Sequence, residues 1–279
     1  MVDYIYQCEY NVFMEIDRNN IKTAGSRLAK VLAEQGSRIF TRKYATRIAI
    51  ENGYSESFAT KIVLHMCRGG WIEMIRPGLY ALNSIFLGGH PIHEFEILTS
   101  LAENVVVSHF SAMNYYAFTE QIPHSLYGTV PTGTNIPRKR REQPLTIQGN
   151  TYHFVQIKES QFFGHRNIWV GDVRIKITDK ERTLLDGLIK PGSCGGLQEV
   201  LNAYKMNIGS INIETLVNYA LRLDKAVAKR LGWILEELGV DDVLLAPLLN
   251  VPYTGYILLD ASGEKSGLYN KKWHIQENL

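Results

Sequence analysis

Residues 38–82 read RIFTRKYATRIAIENGYSESFATKIVLHMCRGGWIEMIRPGLYAL, and residue types alone mark two helices and a hairpin in them. Thr41 suits the N-cap of a helix over 42–52, because its hydroxyl can accept a bond from a free first-turn N–H. Gly53 follows as the residue that tolerates positive φ beyond a helix end. Ser55 stands where the next N-cap belongs. Phe58, Ile62 and Met66 then recur every four residues and give a second helix one apolar stripe. Gly69-Gly70 ends that helix. Residues 71–74 and 79–82 are the arms of a hairpin, with Pro77-Gly78 as its turn. Residues 23–35 make a supporting helix with Leu28, Val31 and Leu32 facing in. The order of helix, tight turn, helix and hairpin is that of a winged helix-turn-helix, which lays its second helix in the DNA major groove.

The chemistry opposite the apolar stripe fits that placement. Ser57, Thr60, Lys61 and Arg68 fall there, combining small hydroxyls with cations suited to base edges and phosphates. Ser57, Thr60 and Lys61 are the expected groove readers. Arg42, Lys43, Arg68 and Arg76, the last at the hairpin tip, are the expected phosphate contacts. Leu64 points the same way and is expected to pack near the wing. Residues 18–80 hold eleven Lys and Arg against four Asp and Glu, whereas the whole chain is only +2. Such clustered positive charge is the footprint of a polyanionic partner. The same fold also serves protein docking, and that alternative stays open.

Beyond this region the chain reads as a soluble, two-domain protein. Its 279 residues are long for one domain, and 45% hydrophobic with 21% charged residues is ordinary for a globular core. The first twenty residues carry acidic side chains and no apolar run of signal-peptide type; they are expected to form an amino-terminal arm. The most apolar stretch, 243–259, is broken by Pro247, Asn250 and Pro252, so no membrane span is expected. Cys8, Cys67 and Cys194 are too far apart for a zinc site or a disulfide framework. A cytoplasmic protein with no metal and no cofactor is the expectation. Gly88-Gly89-His90-Pro91 is the expected boundary, giving domains 1–88 and 89–279.

In the second domain residues 92–103 read as a helix, 105–107 as a short buried strand, and Ser108 as the cap of a helix to about Phe118. Period-2 segments follow at 126–132, 145–148, 151–155 and 173–177, with Gly149-Asn150 as a hairpin turn. Thr178 and Glu181 have capping-box spacing, and Arg182 and Asp186, four apart, can pair on the helix that ends at Lys190-Pro191-Gly192. Residues 213–249 are mainly helical, 256–259 is a strand, and Trp273 is an apolar anchor for the tail. The fold class expected is α+β: a winged helix-turn-helix, then a mixed α/β domain with a mainly helical last third.

Several of these segments, in this order, resemble the AbiEi antitoxins of the bacterial AbiE abortive-infection systems, a type IV toxin–antitoxin class. The resemblance rests on RPGLY at 76–80, SHFSA at 108–112, ITDKERTLLD at 177–186, CGG at 194–196, and GLYN at 267–270 with Lys272, Trp273 and Asn278. It spans about residues 38–279 and omits the first twenty or so. It implies a DNA-binding repressor of its own operon, acting through inverted repeats near the promoter. It also implies that the second domain neutralises a cognate nucleotidyltransferase toxin during phage defence, without a stable complex having generally been required. Arg182 and Asp186, and the basic run Arg138-Lys139-Arg140-Arg141, are the candidates for the antitoxin function. The commoner role of such a pair is an internal ion pair, and that of such a basic run a solvated hairpin tip.

No enzyme constellation is legible. There is no G-x-x-x-x-G-K-[ST], G-x-G-x-x-G or H-E-x-x-H. Neither Gly192-Ser193 nor Gly209-Ser210 is followed by the Asp-x-Asp pair a nucleotidyltransferase needs. The expectation is therefore a non-enzymatic repressor and antitoxin. The alternative is a winged-helix regulator with a ligand-sensing carboxy-terminal domain and no toxin partner.

Overall fold

The computed structural model describes residues 23–121, 124–137 and 145–279. The chain divides into two compact units, the first ending at Ser100 and the second running from Leu101 to Leu279. Among the described residues no helix is long and apolar enough to cross a membrane.

The first unit begins with helical residues 23–34 (α1). Strand β1 (Ile39–Thr41), helices α2 (Arg42–Glu51) and α3 (Glu56–Arg68), and strands β2 (Ile72–Arg76) and β3 (Leu79–Leu82) follow. Thr41 caps α2 by accepting from the Tyr44 N–H, and Ser55 caps α3 by accepting from the Phe58 N–H. Gly53 has φ +88° and ends the turn between the helices. Ala59, Ile62, Val63 and Met66 of α3 pack with Leu28, Leu32, Ile48, Ile72 and Leu82 into one core. Each of the Val, Leu, Ile and Met side chains contributes roughly 1.5–3 kcal/mol on burial. The apolar stripe therefore sets which way α3 faces.

Two features of this unit differ from expectation. β1 has three residues, of which only Phe40 is buried, so it shows no alternation; it forms because the edge of β3 accepts it as a third antiparallel strand, in the order β1-β3-β2. The division between units falls at Ser100 rather than at Gly88, because helix α4 (Glu94–Ser100) is tied to the first unit. Arg38 Nε donates to Glu96 Oε2 at 2.7 Å, and Nη2 donates to Glu96 Oε1 at 3.3 Å and to Pro91 O at 3.1 Å. A forked, largely buried pair of this kind is geometrically specific, and it lies across the Gly-rich segment.

The second unit is built on a six-stranded sheet in the order β6-β7-β5-β4-β9-β8. The strands are β4 (Val106–Val107), β5 (Ser125–Pro131), β6 (Leu145–Ile147), β7 (Asn150–Ile157), β8 (His165–Val170) and β9 (Val173–Thr178). β5 and β7 pair in parallel over seven residues, and β4 pairs in parallel with β9. Helix α5 (His109–Tyr115) follows β4. After β9 come α6 (Lys180–Ile189), α7 (Leu197–Asn207), α8 (Ile213–Leu223), α9 (Lys225–Glu237) and α10 (Asp242–Leu249). Short strands β10 (Ile257–Leu258), β11 (Leu268–Asn270) and β12 (Ile275–Glu277) form a second sheet in the order β10-β12-β11. The chain is thus of mixed α+β class.

Helix α9 is buried continuously from Val227 to Leu235. A helix buried on every side over more than two turns lies inside its domain. The two cations within that run are satisfied by backbone: Lys229 Nζ donates to the Leu248 and Leu249 carbonyls, and Arg230 to the Leu258 and Leu188 carbonyls. The indole of Trp273, fully buried, lies against Gly232 of this helix. Its Nε1 donates to Glu236 at 2.7 Å, so the tail anchor expected from the sequence is a core residue.

Two local registers differ by one residue from the sequence reading, and one expected cap makes no cap bond. The hairpin turn before β7 is Gln148-Gly149, with φ +49° and +82°, and Asn150 already belongs to the strand. Asp179, not Thr178, caps α6, accepting from the Arg182 N–H at 2.8 Å. Thr178 is the last residue of β9, and its hydroxyl lies 2.8 Å from that of Thr183. Ser108 makes no cap bond to α5, because its hydroxyl is engaged by His109 and Thr129.

Candidate nucleic-acid interface and carboxy-terminal cleft

In the first unit, the stripe that buries Ala59, Ile62 and Met66 leaves the opposite side of α3 open. Ser57, Lys61 and Arg68 are exposed, and Thr60 is half-buried with its hydroxyl donating to the Glu56 carbonyl. Lys43 is exposed at the start of α2, and Arg42 is half-buried there. Arg76 is also half-buried, at the end of β2 rather than free at the turn. Leu64 does not pack near the hairpin: it is 46% exposed, on the same open side as Lys61. Sequence reading passed over Arg47. It is exposed on α2 one turn beyond Lys43, with its guanidinium 5.0 Å from the Tyr44 ring centre.

In the second unit, the segments SHFSA, ITDKERTLLD and CGG come together. Arg182 Nε donates to Asp186 Oδ1 at 2.8 Å, and both residues are 2% exposed. Arg182 Nη1 also donates to the Gln161 carbonyl at 2.6 Å, and the guanidinium stands 5.1 Å from the Phe163 ring centre. Asp186 Oδ2 is buried without a hydrogen-bond partner among the described residues, as is the Tyr204 hydroxyl. The pair is therefore an internal brace, and neither side chain is open to a partner surface. The run Arg138-Lys139-Arg140-Arg141 lies outside the described residues.

His109 opens α5 with φ +52° and is buried, its Nδ1 2.9 Å from the Ser108 hydroxyl. Burial holds its imidazole below the ordinary value; Asp186 opposes this, while Arg182 and Lys190 add to it. A histidine buried neutral adds stability that is present in full above its unfolded value near 6.5. That stability is lost as pH falls from there toward the depressed folded value, because the unfolded chain takes up the proton first. His109→Asn keeps a residue that tolerates positive φ and removes the imidazole. It is expected to flatten the fall in urea midpoint between pH 6.5 and 5 expected of the wild-type chain; an unchanged fall would assign the pH dependence elsewhere. Burial likewise pushes the Cys194 thiol well above its ordinary value, with Asp186 adding to the effect, so this cysteine is an inert packing residue.

Beside this cluster lies an open cleft of about 590 Å³. Tyr127 of β5, the β7 residues Tyr152 to Val155, and Lys190 and Ser193 of the turn after α6 form much of its wall. Tyr127 and His153 are register partners on adjacent parallel strands, and their rings stack at 4.8 Å with planes 15° apart. The Tyr127 ring is also 6.2 Å from that of His109. No sequence signal announced the cleft. It joins residues from β5, β7 and the 190–193 turn, whose proximity follows only from the strand order.

The crystal structure of the RV2827C protein from Mycobacterium tuberculosis is similar to this chain. The match covers 91% of this chain and 90% of that one, with a TM-score of 0.62 and 13% identity. At that identity the likeness is one of fold, and its extent takes in residues of both units. No protein-family model matches the chain, and no curated protein sequence does.

Proposed function

We propose that this protein is a DNA-binding antitoxin of the AbiE type, which represses its own operon and neutralises a cognate nucleotidyltransferase toxin. The first unit is read as a winged helix-turn-helix, with α3 in the major groove of operator DNA and the β2–β3 hairpin as the wing. The observation that carries this is the open side of α3, where Ser57, Lys61 and Arg68 stand exposed in the cation-rich part of the chain. Arg42, Lys43 and Arg76, and Arg47 with them, supply phosphate contacts. The antitoxin part rests on the AbiEi-like segments, which supports a shared framework around Asp186. In this reading Arg182 and Asp186 maintain that framework and do not touch the toxin. A second reading is favoured by the cleft beside Lys190: a winged-helix regulator whose second unit senses a small ligand, with no toxin partner.

Gel-shift titration of the operon's promoter DNA at several salt concentrations tests the DNA arm. Removing both exposed cations in Lys61→Ala/Arg68→Ala is expected to weaken binding about 100-fold at physiological salt. It is also expected to reduce the slope of log affinity against log salt by about 2. An unchanged slope would refute the placement of α3. Growth rescue tests the other arm: the double variant, co-expressed with the toxin of the same operon, is expected to neutralise as well as wild type. A soluble full-length chain that fails to rescue from an active toxin leaves the ligand-sensing reading.

A further inference from the structure

We propose that the cleft between α9, the segment 249–254 and the turn before β12 binds one doubly charged phosphate group, either inorganic phosphate or the head of a small phosphate monoester. The cleft shares no wall residue with the one beside Lys190, and its occupancy depends neither on DNA binding by the first unit nor on toxin neutralisation.

The wall carries three ammonium groups, Lys225, Lys229 and Lys272, and no carboxylate among the described residues. Lys272 is already matched, since it pairs with Glu236 and lies 3.6 Å from Asp242. The other two are not. Lys229 is 1% exposed, yet no carboxylate among the described residues pairs with it. Its Nζ donates to the Leu248 and Leu249 carbonyls and stands 5.9 Å from the Trp273 ring centre. Those uncharged groups hold the ammonium in place and leave one of its three N–H bonds unused. Burial pushes this ammonium below its ordinary value, and no neighbouring charge opposes the shift.

Lys225 is exposed and forms no ion pair among the described residues. It stands one turn before Lys229 on α9, so two like charges lie on one side of the helix at i and i+4, which a helix disfavours. It is also the first residue of α9, where the helix dipole favours negative charge. Asp224 caps the helix, accepting from the Val227 N–H at 2.8 Å, and forms no ion pair with Lys225. A doubly charged anion between the two lysines resolves both conflicts.

The rest of the wall suits a phosphate with a small body. Asn250 and Thr254 are exposed, and their side chains form no hydrogen bonds among the described residues, so both can donate to phosphate oxygens. Tyr253 and His274, with ring centres 6.3 Å apart, offer flat surface to an organic part. The His274 ring is fixed by Nδ1, which donates to the Gly255 carbonyl at 3.0 Å. The about 610 Å³ available falls within the usual range for small-molecule sites.

The test is calorimetric titration of the full chain at about pH 7.5, where a phosphate monoester carries close to two charges. The probes are inorganic phosphate, phenyl phosphate, ribose 5-phosphate and phenyl sulfate, the last having the shape of phenyl phosphate with a single charge. At least one of the three phosphates is expected to bind with a dissociation constant of about 0.1–1 mM. Phenyl sulfate should bind about 10-fold more weakly than phenyl phosphate. Lys225→Ala removes an exposed side chain and leaves the core intact; it is expected to weaken phosphate binding about 10-fold. Lys205→Ala, at an exposed lysine of α7 outside the cleft, should leave binding unchanged. Inorganic phosphate binding as tightly as the esters would identify it as the ligand, and tighter binding of an ester would identify a monoester. Absence of binding by all three phosphates would overturn the proposal. So would phenyl sulfate binding as well as phenyl phosphate, or phosphate binding that Lys225→Ala leaves unchanged.

Discussion

Asp186→Ala is expected to destabilise the second unit by about 3–5 kcal/mol, because it strands the Arg182 guanidinium in a site that is 2% exposed. The Gln161 carbonyl would still accept from Nη1, but the Nε–H would lose its partner and the positive charge its counter-ion. Arg182→Met should do comparable harm by a different route. It leaves a buried carboxylate that already has one oxygen unpartnered among the described residues. The double replacement Arg182→Met/Asp186→Leu removes both charges and is expected to lie closer to wild type than either single change. Urea unfolding followed by tryptophan fluorescence measures all three, since Trp169, Trp233 and Trp273 report on this unit. A loss below about 1 kcal/mol for Asp186→Ala would mean that water reaches the pair and the brace is not as dry as the geometry makes it.

Gly232→Ala carries the second large effect, and its sign is the informative part. In an ordinary helix interior the change stabilises by up to about 1 kcal/mol. Here a Cβ on Gly232 would overlap the Trp273 ring, which is fully buried and held by its bond to Glu236. Gly232→Ala is therefore expected to destabilise by about 1–3 kcal/mol. Trp273→Ala should cost about 3–5 kcal/mol through the cavity it leaves between α9 and the small sheet. Once the ring is gone, adding Gly232→Ala should turn favourable. Additive costs in the double variant would sink the account of α9 and Trp273 as one packed unit.

The first unit was largely legible in the sequence because its signals are local. Thr41 and Ser55 act at their own helix starts, and the four-residue recurrence of Phe58, Ile62 and Met66 sets one helix face. β1 was not legible, since a three-residue strand has no period and depends on β3 forty residues away. In the second unit the expected strands exist, but β8 was passed over. His165, Arg166 and Asn167 open it with exposed polar residues, as an edge strand allows, and mask its alternation. The one-residue shifts at Gln148-Gly149 and Asp179 have a shared cause. Strand pairing extends one residue beyond the local signal and overrides it, forcing Gln148 into positive φ and moving the helix cap from Thr178 to Asp179. The exposed side of α3 could be read in advance. The cleft could not, because Tyr127 and His153 meet only through the parallel pairing of β5 with β7.

The shortness of β4 bears on how the second unit assembles. This strand of two residues joins β5 on one side to β9 on the other, and its link to β9 is the single register pair Val107–Ile177. Residues seventy apart in the chain must therefore meet before the β6-β7-β5 ribbon and the β9-β8 hairpin become one sheet. Contacts that distant slow folding, whereas the first unit closes mostly over short loops. During synthesis the first unit can reach its native state while the halves of the later sheet are still waiting for each other. In that interval the open edges of β5 and β9 are the surfaces on which the nascent chain is most exposed to mispairing.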